Sequence, residues 1–235
     1  DVDGDGLTIT ATSDSPGDVN FEIEMFDSEP VIDIDGNVYE SVQIGDQVWM
    51  KENLKVTRYN DGSEIPTGYS NSEWDDLDET ETGAYAVYED NESNADTYGY
   101  LYNWYAVDDS RGVCPESWHI PTDDEYTELT DYLGGTSVAG GKMKEEGFEH
   151  WNSPNTGAAN ESGFTALPGG YRYFGSGYYS VGDYGYFWSS TESNDGYAWY
   201  RILYYNSSGI NRYYGSKRNG FSVRCIRDAD YLTIL

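Results

Sequence analysis

Alternating apolar and polar residues predict a β-hairpin at the start of the chain. Residues 7–12 and the run from Val19 to Met25 both alternate with a period of two, and a Ser-Pro-Gly-Asp turn at 15–18 separates them. Thirty residues cannot bury a core of their own. Residues 1–30 are therefore predicted to be an N-terminal β extension, or the remnant of a preceding repeat, that leans on the rest of the chain, on a neighbouring domain or on another copy.

The main domain is predicted to span 31–228, followed by a tail at 229–235. It opens with two alternating runs between Val31 and Val48, broken by Asp35-Gly36-Asn37 and Gly45-Asp46, which predict a small β-meander. Residues 73–96 hold ten carboxylates in 24 positions. That density predicts a long surface loop rather than a packed element.

Helical periodicity is clearest after Pro121. Thr122 is a natural N-cap and Glu125, three residues later, completes a capping box. Tyr126, Leu129 and Leu133 then repeat on one face, and a Gly-Gly pair ends the pattern. Weaker patterns predict short helices over 99–107 and 137–146.

Glycine, tyrosine, serine and asparagine dominate from Gly163 onward, with short strand-like runs at 185–189, 198–203 and 221–227. Half of the 24 tyrosines fall between Tyr171 and Tyr214. The whole pattern predicts an α+β fold with short antiparallel strands, two or three helices and long irregular loops.

Charge limits the range of partners. The chain has 43 acidic and 13 basic residues, a formal net charge of −30. Such a charge repels phosphate backbones and anionic lipids, so nucleic acid and membrane surfaces are not expected partners. No segment approaches the 18 or more apolar residues of a membrane span. Abundant tyrosine and glycine with scarce lysine are typical of extracellular binding domains, so we expect an extracellular or cell-surface location.

Two cysteines, Cys114 and Cys225, are predicted to form a disulfide, because an even pair in an extracellular chain favours a bridge over a redox or metal site. Neither a C-x-x-C motif nor a zinc-like grouping of His and Cys occurs.

Seven ordered blocks occur between 31 and 228: Asp33–Tyr39, Val42–Leu54, Tyr98–Val107, Gly112–Asp123, Ser162–Arg172, Phe187–Glu192 and Gly220–Arg227. Together they resemble the Fibrobacter succinogenes major paralogous domain. The resemblance implies an exported bacterial surface domain with the C-type-lectin-like fold that formylglycine-generating enzymes share. Residues 1–30 fall outside these blocks and resemble the opening of a bacterial cadherin-like or immunoglobulin-like repeat.

Calcium is the one cofactor that the sequence suggests. Asp1, Asp3 and Asp5 match the front half of a calcium loop, but position 12 is Thr12 rather than the bidentate glutamate of an EF-hand. The alternatives are a partial calcium site and a solvated acidic turn. Asp33, Asp35 and Asn37 have similar spacing, but the hydrophobic residues interleaved with them favour a hairpin. The Glu-Pro-Asn, Gln-Pro-Asp and Trp-Asn-Asp tripeptides of calcium-dependent lectins are absent.

A tyrosine-rich contact surface is the main functional hypothesis. Adjacent tyrosines on an extended chain point to opposite sides, so some must be exposed rather than packed. The predicted surface consists of Tyr173, Tyr178, Tyr179, Tyr184, Tyr197, Trp199, Tyr204, Asn206, Asn211, Tyr213 and Tyr214. Possible N-glycosylation acceptors are Asn91, Asn160 and Asn206.

Three functions remain open. The first is recognition or adhesion, with a protein or glycan bound through the tyrosine-rich surface. The second is a structural subunit of a filament or surface layer, with terminal strands docking on other copies of the chain. Hydrolysis of a surface polysaccharide is third. The setting of His119 favours a structural role, no nucleophile motif accompanies either histidine, and paired carboxylates are uninformative among 43 acids, so no enzyme activity is expected.

Overall fold

The computed structural model describes residues 8–15, 18–24, 30–229 and 231–233, and for 8–24 and 231–233 it describes backbone pairing alone. The strands are β1 Thr8–Ser15, β2 Asp18–Glu24, β3 Val31–Ile32, β4 Val38–Tyr39, β5 Ser41–Ile44, β6 Gln47–Met50, β7 Tyr85–Ala86, β8 Leu101–Tyr102, β9 Gly169–Tyr173, β10 Gly177–Val181, β11 Tyr184–Asn194, β12 Tyr197–Tyr204, β13 Ile210–Ser216, β14 Ile226–Asp228 and β15 Tyr231–Thr233. The helices are α1 Asn71–Asp76, α2 Ser93–Tyr98, α3 Trp104–Val107, α4 Asp123–Tyr132 and α5 Ala139–Met143, with 3₁₀ turns at Leu77–Thr80 and Tyr88–Asp90. The fold is mixed α+β, mostly strands.

A curled five-stranded sheet with the order β10-β9-β11-β12-β13 is the largest element. Its strands pair antiparallel except β9 and β11, which run parallel at Gly170 and Gly185. Helix α4 packs on one face of this sheet, where Asp123 bonds to arginines of β12 and β13. The helix therefore covers the part of that face that carries Arg201.

The predicted N-terminal hairpin is present. Strands β1 and β2 pair antiparallel from Thr8 opposite Glu24 to Ser15 opposite Asp18. Strand β15, from the far end of the chain, pairs with the other side of β2, giving a separate three-stranded sheet with the order β1-β2-β15. The two ends of the chain thus meet in one sheet.

Helix α4 confirms the predicted capping box. The Thr122 side chain accepts from the Glu125 backbone N–H, and the Glu125 carboxylate accepts from the Thr122 backbone N–H. Tyr126, Leu129 and Leu133 are buried against the core, as the periodicity predicts. The capping box and the apolar face both predict a helix at this position, and the prediction is confirmed.

The prediction of an unpacked acidic loop at 73–96 is wrong. Ser70 and Glu73 form a second capping box that starts α1, and Trp74 is fully buried with its indole N–H donating to the Arg218 carbonyl. The carboxylates lie mostly on the outside, and Trp74 and Leu77 anchor the segment through a small satellite core. The many carboxylates around Trp74 and Leu77 led the sequence prediction to miss them as core residues.

Other local predictions need correction. The first main-domain strands form two separate hairpins, β3 with β4 and β5 with β6, and β14 joins the second hairpin instead of a meander. The helix predicted over 99–107 is a two-residue strand followed by the single turn α3, and the one predicted over 137–146 shortens to α5. The described part of the chain has five short α-helices where two or three were expected.

The predicted disulfide is confirmed, with Cys114 and Cys225 bridged and their Cα atoms 5.9 Å apart. It lies in a core cluster with Trp104, Trp188 and Phe221. A second cluster around Trp49 packs beneath α4. Each of the two tryptophans of the first cluster donates to a carbonyl near the other in sequence: Trp104 Nε1 to Ser189 and Trp188 Nε1 to Tyr102.

A buried arginine joins three of the sequence blocks. Arg224 donates to the Asn53 side-chain oxygen and to the carbonyls of Met50 and Phe164, and its guanidinium lies 4.3 Å from the Phe164 ring centroid. Asn53 in turn donates to the Tyr98 carbonyl. Burial lowers the pKa of Arg224 to about 10, so it stays charged at neutral pH and is held by acceptors on every side.

Candidate binding face

The sheet face opposite α4 carries a continuous band of tyrosines. All five strands contribute, and we call the set the tyrosine face: Tyr179 from β10, Tyr171 from β9, Tyr184 and Tyr186 from β11, Tyr200 and Tyr204 from β12 and Tyr213 from β13. Residues directly opposite on neighbouring strands share a face. Tyr179 lies opposite Tyr171, Tyr184 opposite Tyr204, and Tyr200 opposite Tyr213.

The rings follow one another without a break. Ring centroids are 5.8 Å apart between Tyr179 and Tyr171, 4.8 Å between Tyr171 and Tyr186, 5.8 Å between Tyr186 and Tyr200 and 6.3 Å between Tyr200 and Tyr213. Tyr184 extends the band to Tyr204 at 5.0 Å. These are ordinary aromatic packing distances. Each ring therefore holds its neighbours in place along a platform that crosses the sheet.

The core packs against the three central rings of the band, because Phe221 contacts Tyr171, Tyr186 and Tyr200. Phe221 stacks on Tyr186 with centroids 4.8 Å apart and lies 4.3 Å from Trp188, which is fully buried. The remaining tyrosines are half-buried or exposed, Tyr179 at 43% and Tyr213 at 46%. The core thus fixes the central rings of the platform, and the outer rings of Tyr179 and Tyr213 are exposed to solvent.

The tyrosine hydroxyls are available for hydrogen bonding. Within the described part of the chain the hydroxyls of Tyr171, Tyr184, Tyr186 and Tyr200 make no hydrogen bond, and none is sealed away from solvent as the hydroxyls of Tyr59 and Tyr126 are. At the margin, Asn211 donates weakly to the Tyr213 hydroxyl at 3.4 Å. Most of the face therefore presents unpaired donors and acceptors.

No charged group influences the centre of the face. Burial, and after it neighbouring tyrosines, raise the pKa of Tyr200 to about 12, and the same two causes raise the pKa of Tyr171 and Tyr204. Tyrosines elsewhere differ: after burial, Glu92 raises the pKa of Tyr100, and Asp78 raises that of Tyr105. In a chain of net charge −30 the tyrosine face is locally uncharged.

On the opposite face of the sheet, strands β12 and β13 carry charged residues beside their aromatic rings. Arg212 lies over the Trp199 ring at 3.4 Å and is held by Asp123, which also pairs with the buried Arg201. Tyr214 contacts Trp199 and Tyr197 edge-on. Burial opposes ionisation of Asp123, but hydrogen bonds from Arg212 and Arg201 keep the pKa of its carboxyl below the usual value. This second aromatic group is therefore built around an ion pair.

The eleven predicted surface residues do not form one site. Tyr179, Tyr184, Tyr204, Asn211 and Tyr213 share the tyrosine face. Tyr173, two residues after Tyr171, lies on the same side at the end of β9, where its ring packs against Phe174. The others lie elsewhere: Tyr178, Tyr197, Trp199 and Tyr214 on the opposite side of the sheet, and Asn206 in the exposed turn after β12.

Three residues of the face, Tyr171, Tyr186 and Tyr200, are missing from that prediction. The signal that could have found them is the alternation within each strand. The positions of Tyr184 and Tyr186, and those of Tyr200 and Tyr204, differ by an even number, which puts each pair on one side of its strand. Combining strands also required the register, which the sequence does not give.

The predicted calcium ligands Asp1, Asp3 and Asp5 lie outside the described residues. At the second candidate loop, Asp33 is buried and its carboxylate accepts from the backbone N–H groups of Asp35 and Asn37, from the Asn37 amide and from the Tyr39 hydroxyl. Those donors make it the anchor of a hairpin.

One other group of side chains has metal-ligating chemistry. Glu145, Glu149 and His150 bring one ligand atom each within 4.8 Å of one another. The His150 ring nitrogen Nδ1 already bonds to the Glu145 carboxylate at 2.9 Å, and the ring packs edge-on against Tyr98 at 5.8 Å. This arrangement explains the group as a hydrogen-bonded pair that closes the 145–150 loop.

Both histidines pair with glutamates. His119 Nε2 lies 2.8 Å from the Glu125 carboxylate. The hydrogen bond to Glu125 raises the pKa of His119. Burial alone would raise the pKa of Glu125, but hydrogen bonds from His119 and Thr122 lower it to about 2. The pair thus ties the loop before α4 to the helix's first turn.

The three glycosylation candidates differ in access. Asn91 and Asn206 are exposed, whereas the Asn160 side chain bonds to Thr165 through both its oxygen and its nitrogen. Asn91 also accepts from the hydroxyl of Ser93, the serine of its own acceptor tripeptide. A glycan at Asn160 would have to displace the bonds to Thr165.

The family model of the Fibrobacter succinogenes major domain matches residues 42–227, and the chain belongs to this family. The match covers α1 to α5 and the whole five-stranded sheet, including the tyrosine face. No curated protein matches the chain, and no solved structure does. Among the described residues, none of the helices has the length and apolar character needed to span a membrane.

Proposed function

We propose that this chain is a recognition or adhesion domain of the bacterial cell surface, which binds a protein or glycan through the tyrosine face. The observation that carries the proposal is seven tyrosines from five strands on one open sheet face, most of them with unpaired hydroxyls. Aromatic rings offer a large contact area at little cost in side-chain entropy, which is why binding surfaces use them.

Supporting features belong to the same proposal. The disulfide suits an oxidising compartment and therefore an exported domain. A curled sheet with short helices and long loops is compatible with a C-type-lectin-like topology, which we propose as the finer fold class. The role is binding rather than catalysis, because each histidine is paired with a glutamate in an arrangement that has a structural explanation.

The test uses neighbours in β13 that point to opposite faces. Tyr213 and Tyr214 are 46% and 57% exposed, so either can be replaced by alanine without opening the core. The folded domain is screened for binding to a glycan array and to a panel of extracellular matrix proteins and mucin. We expect at least one ligand whose binding Tyr213→Ala weakens about tenfold while Tyr214→Ala leaves it unchanged. Absence of any ligand, or equal effects of both substitutions, would contradict the proposal.

A structural role in a filament is the second candidate, favoured by the β1-β2-β15 sheet. In the described part of the chain, β1 and β15 each have one strand partner, so their outer edges are open to pairing with another copy. Light scattering and electron microscopy of the chain would show ordered polymers if this is right. Dissolution by a chelator would add a calcium role, for which Asp1, Asp3 and Asp5 are the proposed ligands. A monomer at all concentrations would exclude the filament.

A further inference from the structure

We propose that the ligand of the tyrosine face is an uncharged polysaccharide, recognised without a bound metal. The inference rests on the proposed function and narrows the ligand to one chemical class. Three features carry it: the pairing of the chain's cations, the lack of charge on the face, and the geometry of rings and hydroxyls.

An acidic ligand lacks a counter-charge on this protein. Of the 13 lysines and arginines, nine form ion pairs with the chain's own carboxylates, Lys144, Arg172 and Arg224 are buried, and Arg227 lies over Trp118. The surplus of carboxylates repels polyanions at long range. The arginines of the five-stranded sheet, Arg172, Arg201 and Arg212, lie on the opposite face, so a uronic acid or sulfated polymer would meet no cation among the rings.

A basic ligand is attracted by the net charge but finds no carboxylate in the band of rings. The strand register places tyrosines beside one another in this band, with no Asp or Glu between Tyr179, Tyr171, Tyr186, Tyr200 and Tyr213. Recognition of a cation by specific hydrogen-bonded pairing needs a carboxylate at the contact. The acidic residues of this chain are elsewhere, for example beside Tyr100 and Tyr105, so a cationic partner would bind away from the tyrosine face.

The chemistry of the face matches a neutral sugar. A pyranose presents a ring of C–H groups with small positive charge on one side, which packs on the negative face of an aromatic ring, and hydroxyls at its rim. The hydroxyls of Tyr171, Tyr184, Tyr186 and Tyr200 are free to pair with that rim. Five strands about 4.8 Å apart make a platform about 19 Å wide, which favours a polymer over a single sugar.

Protein is the other possible occupant, and the face fits it less well. Protein interfaces centre on aromatic or arginine anchors inserted into desolvated pockets. Here the arginine nearest to the edge, Arg212, is committed to Asp123 and Trp199 on the opposite face. The aliphatic side chains of β12 on this face, Ala198 and Ile202, are buried. The platform thus offers ring planes and hydroxyls but no arginine and no exposed aliphatic side chain of β12.

Isothermal titration calorimetry tests the inference with soluble polymers. The neutral probes are xyloglucan, galactomannan, mixed-linkage β-glucan and arabinoxylan, and the acidic probes are polygalacturonate and alginate. We expect binding to at least one neutral polymer and to neither acidic one. The affinity should be unchanged by a chelator and by raising sodium chloride from about 0.05 to about 0.5 M, because an uncharged ligand has no interaction for salt to screen.

Variants locate the binding. Tyr179→Ala and Tyr213→Ala should each weaken binding about tenfold, whereas Tyr214→Ala, and Tyr132→Ala on α4, should stay within about twofold. Tyr132 is 66% exposed and serves as the control for loss of any surface tyrosine. Tyr200→Phe keeps the half-buried ring and should weaken binding about threefold through the lost hydroxyl. Circular dichroism confirms the fold of each variant.

The failures are distinguishable. Binding to none of the neutral polymers overturns the inference, as does binding abolished by salt or by chelation. If the wider screen finds a protein or an acidic glycan whose binding Tyr213→Ala weakens, the proposed function stands and the neutral-sugar inference falls. If it finds no ligand at all, both fall.

Discussion

Asp123 and Arg201 form a buried ion pair in which Arg201 Nη1 donates to Asp123 Oδ1 across 2.6 Å. Arg212, one strand further along the sheet, binds both oxygens of the same carboxylate. Asp123 is also the first residue of α4, so one side chain fastens the helix to two strands. Helix α4 is thereby fastened to the sheet face opposite the tyrosines and covers part of it.

Loss of the Asp123 carboxylate should be costly. Asp123→Ala leaves Arg201 buried without its counter-ion, which we expect to lower the free energy of unfolding by about 3–5 kcal/mol. Asp124→Ala removes the same charge from the next, exposed position of the helix and should cost less than about 1 kcal/mol. Urea denaturation of both variants provides the comparison. Equal losses would show that the ion pair does not hold α4 in place.

Acid should weaken the protein through Glu125. Its pKa of about 2 in the folded state lies below the ordinary 4.5, so the unfolded chain takes up a proton first as the pH falls. The contribution of Glu125 to stability is therefore complete above pH 4.5 and is lost between 4.5 and 2. Glu125→Gln should flatten stability over this window, and Glu128→Gln, at an exposed position of the same helix, should not. Identical acid profiles for the two variants would contradict the assignment.

High pH should lower the stability of the protein through ionisation of the tyrosines of the face. The pKa of Tyr200 is raised by burial, and then by neighbouring tyrosines, from 10.0 to about 12 in the folded protein. Between those values the unfolded chain releases the proton first, so stability falls as the pH rises. Absorbance at the phenolate band should show a late titrating group that Tyr200→Phe removes. Titration of every tyrosine near pH 10 would mean that the rings do not pack as described.

The disulfide should contribute a large share of stability. It closes a loop across a sequence separation of 111, for which loss of unfolded-chain entropy predicts about 4–5 kcal/mol. We expect Cys114→Ser with Cys225→Ser to lower the free energy of unfolding by about that amount. The wild type in a reductant that opens the bridge should match the double variant. A loss below about 1 kcal/mol would show that the core around Trp188 holds these segments together without the bond.

Close packing around a glycine should be detectable as a loss of stability when the glycine is replaced by alanine. A Cβ at Gly140 would clash with the backbone oxygen of Gly209, whereas a Cβ at Gly196 would meet nothing within 4 Å. Gly140→Ala should therefore destabilise the protein by about 1–3 kcal/mol or more, and Gly196→Ala by less than about 0.5 kcal/mol. Thermal unfolding of the pair decides the matter, and a neutral Gly140→Ala would contradict the packing of α5 on the turn at 209.

The sequence by itself determined the elements whose signals are local. The capping box of Thr122 and Glu125, the N-terminal hairpin and the pairing of the two cysteines all depend on residues that are close in sequence or, for the cysteines, have no other partner. Parts of the sequence blocks that resemble the family are structural. Arg224 and Asn53, from two of those blocks, form a buried network rather than a ligand site.

Tertiary structure alone decided which tyrosines act together. Period-two alternation assigns each residue of a strand to one of two sides, but only strand order and register say which sides of β9 to β13 coincide. For the same reason Trp74 could be placed in the core only when the segment at 217–220 was brought against it. Local sequence sets the direction of each side chain along its own strand, and pairing between distant strands determines which side chains form one surface.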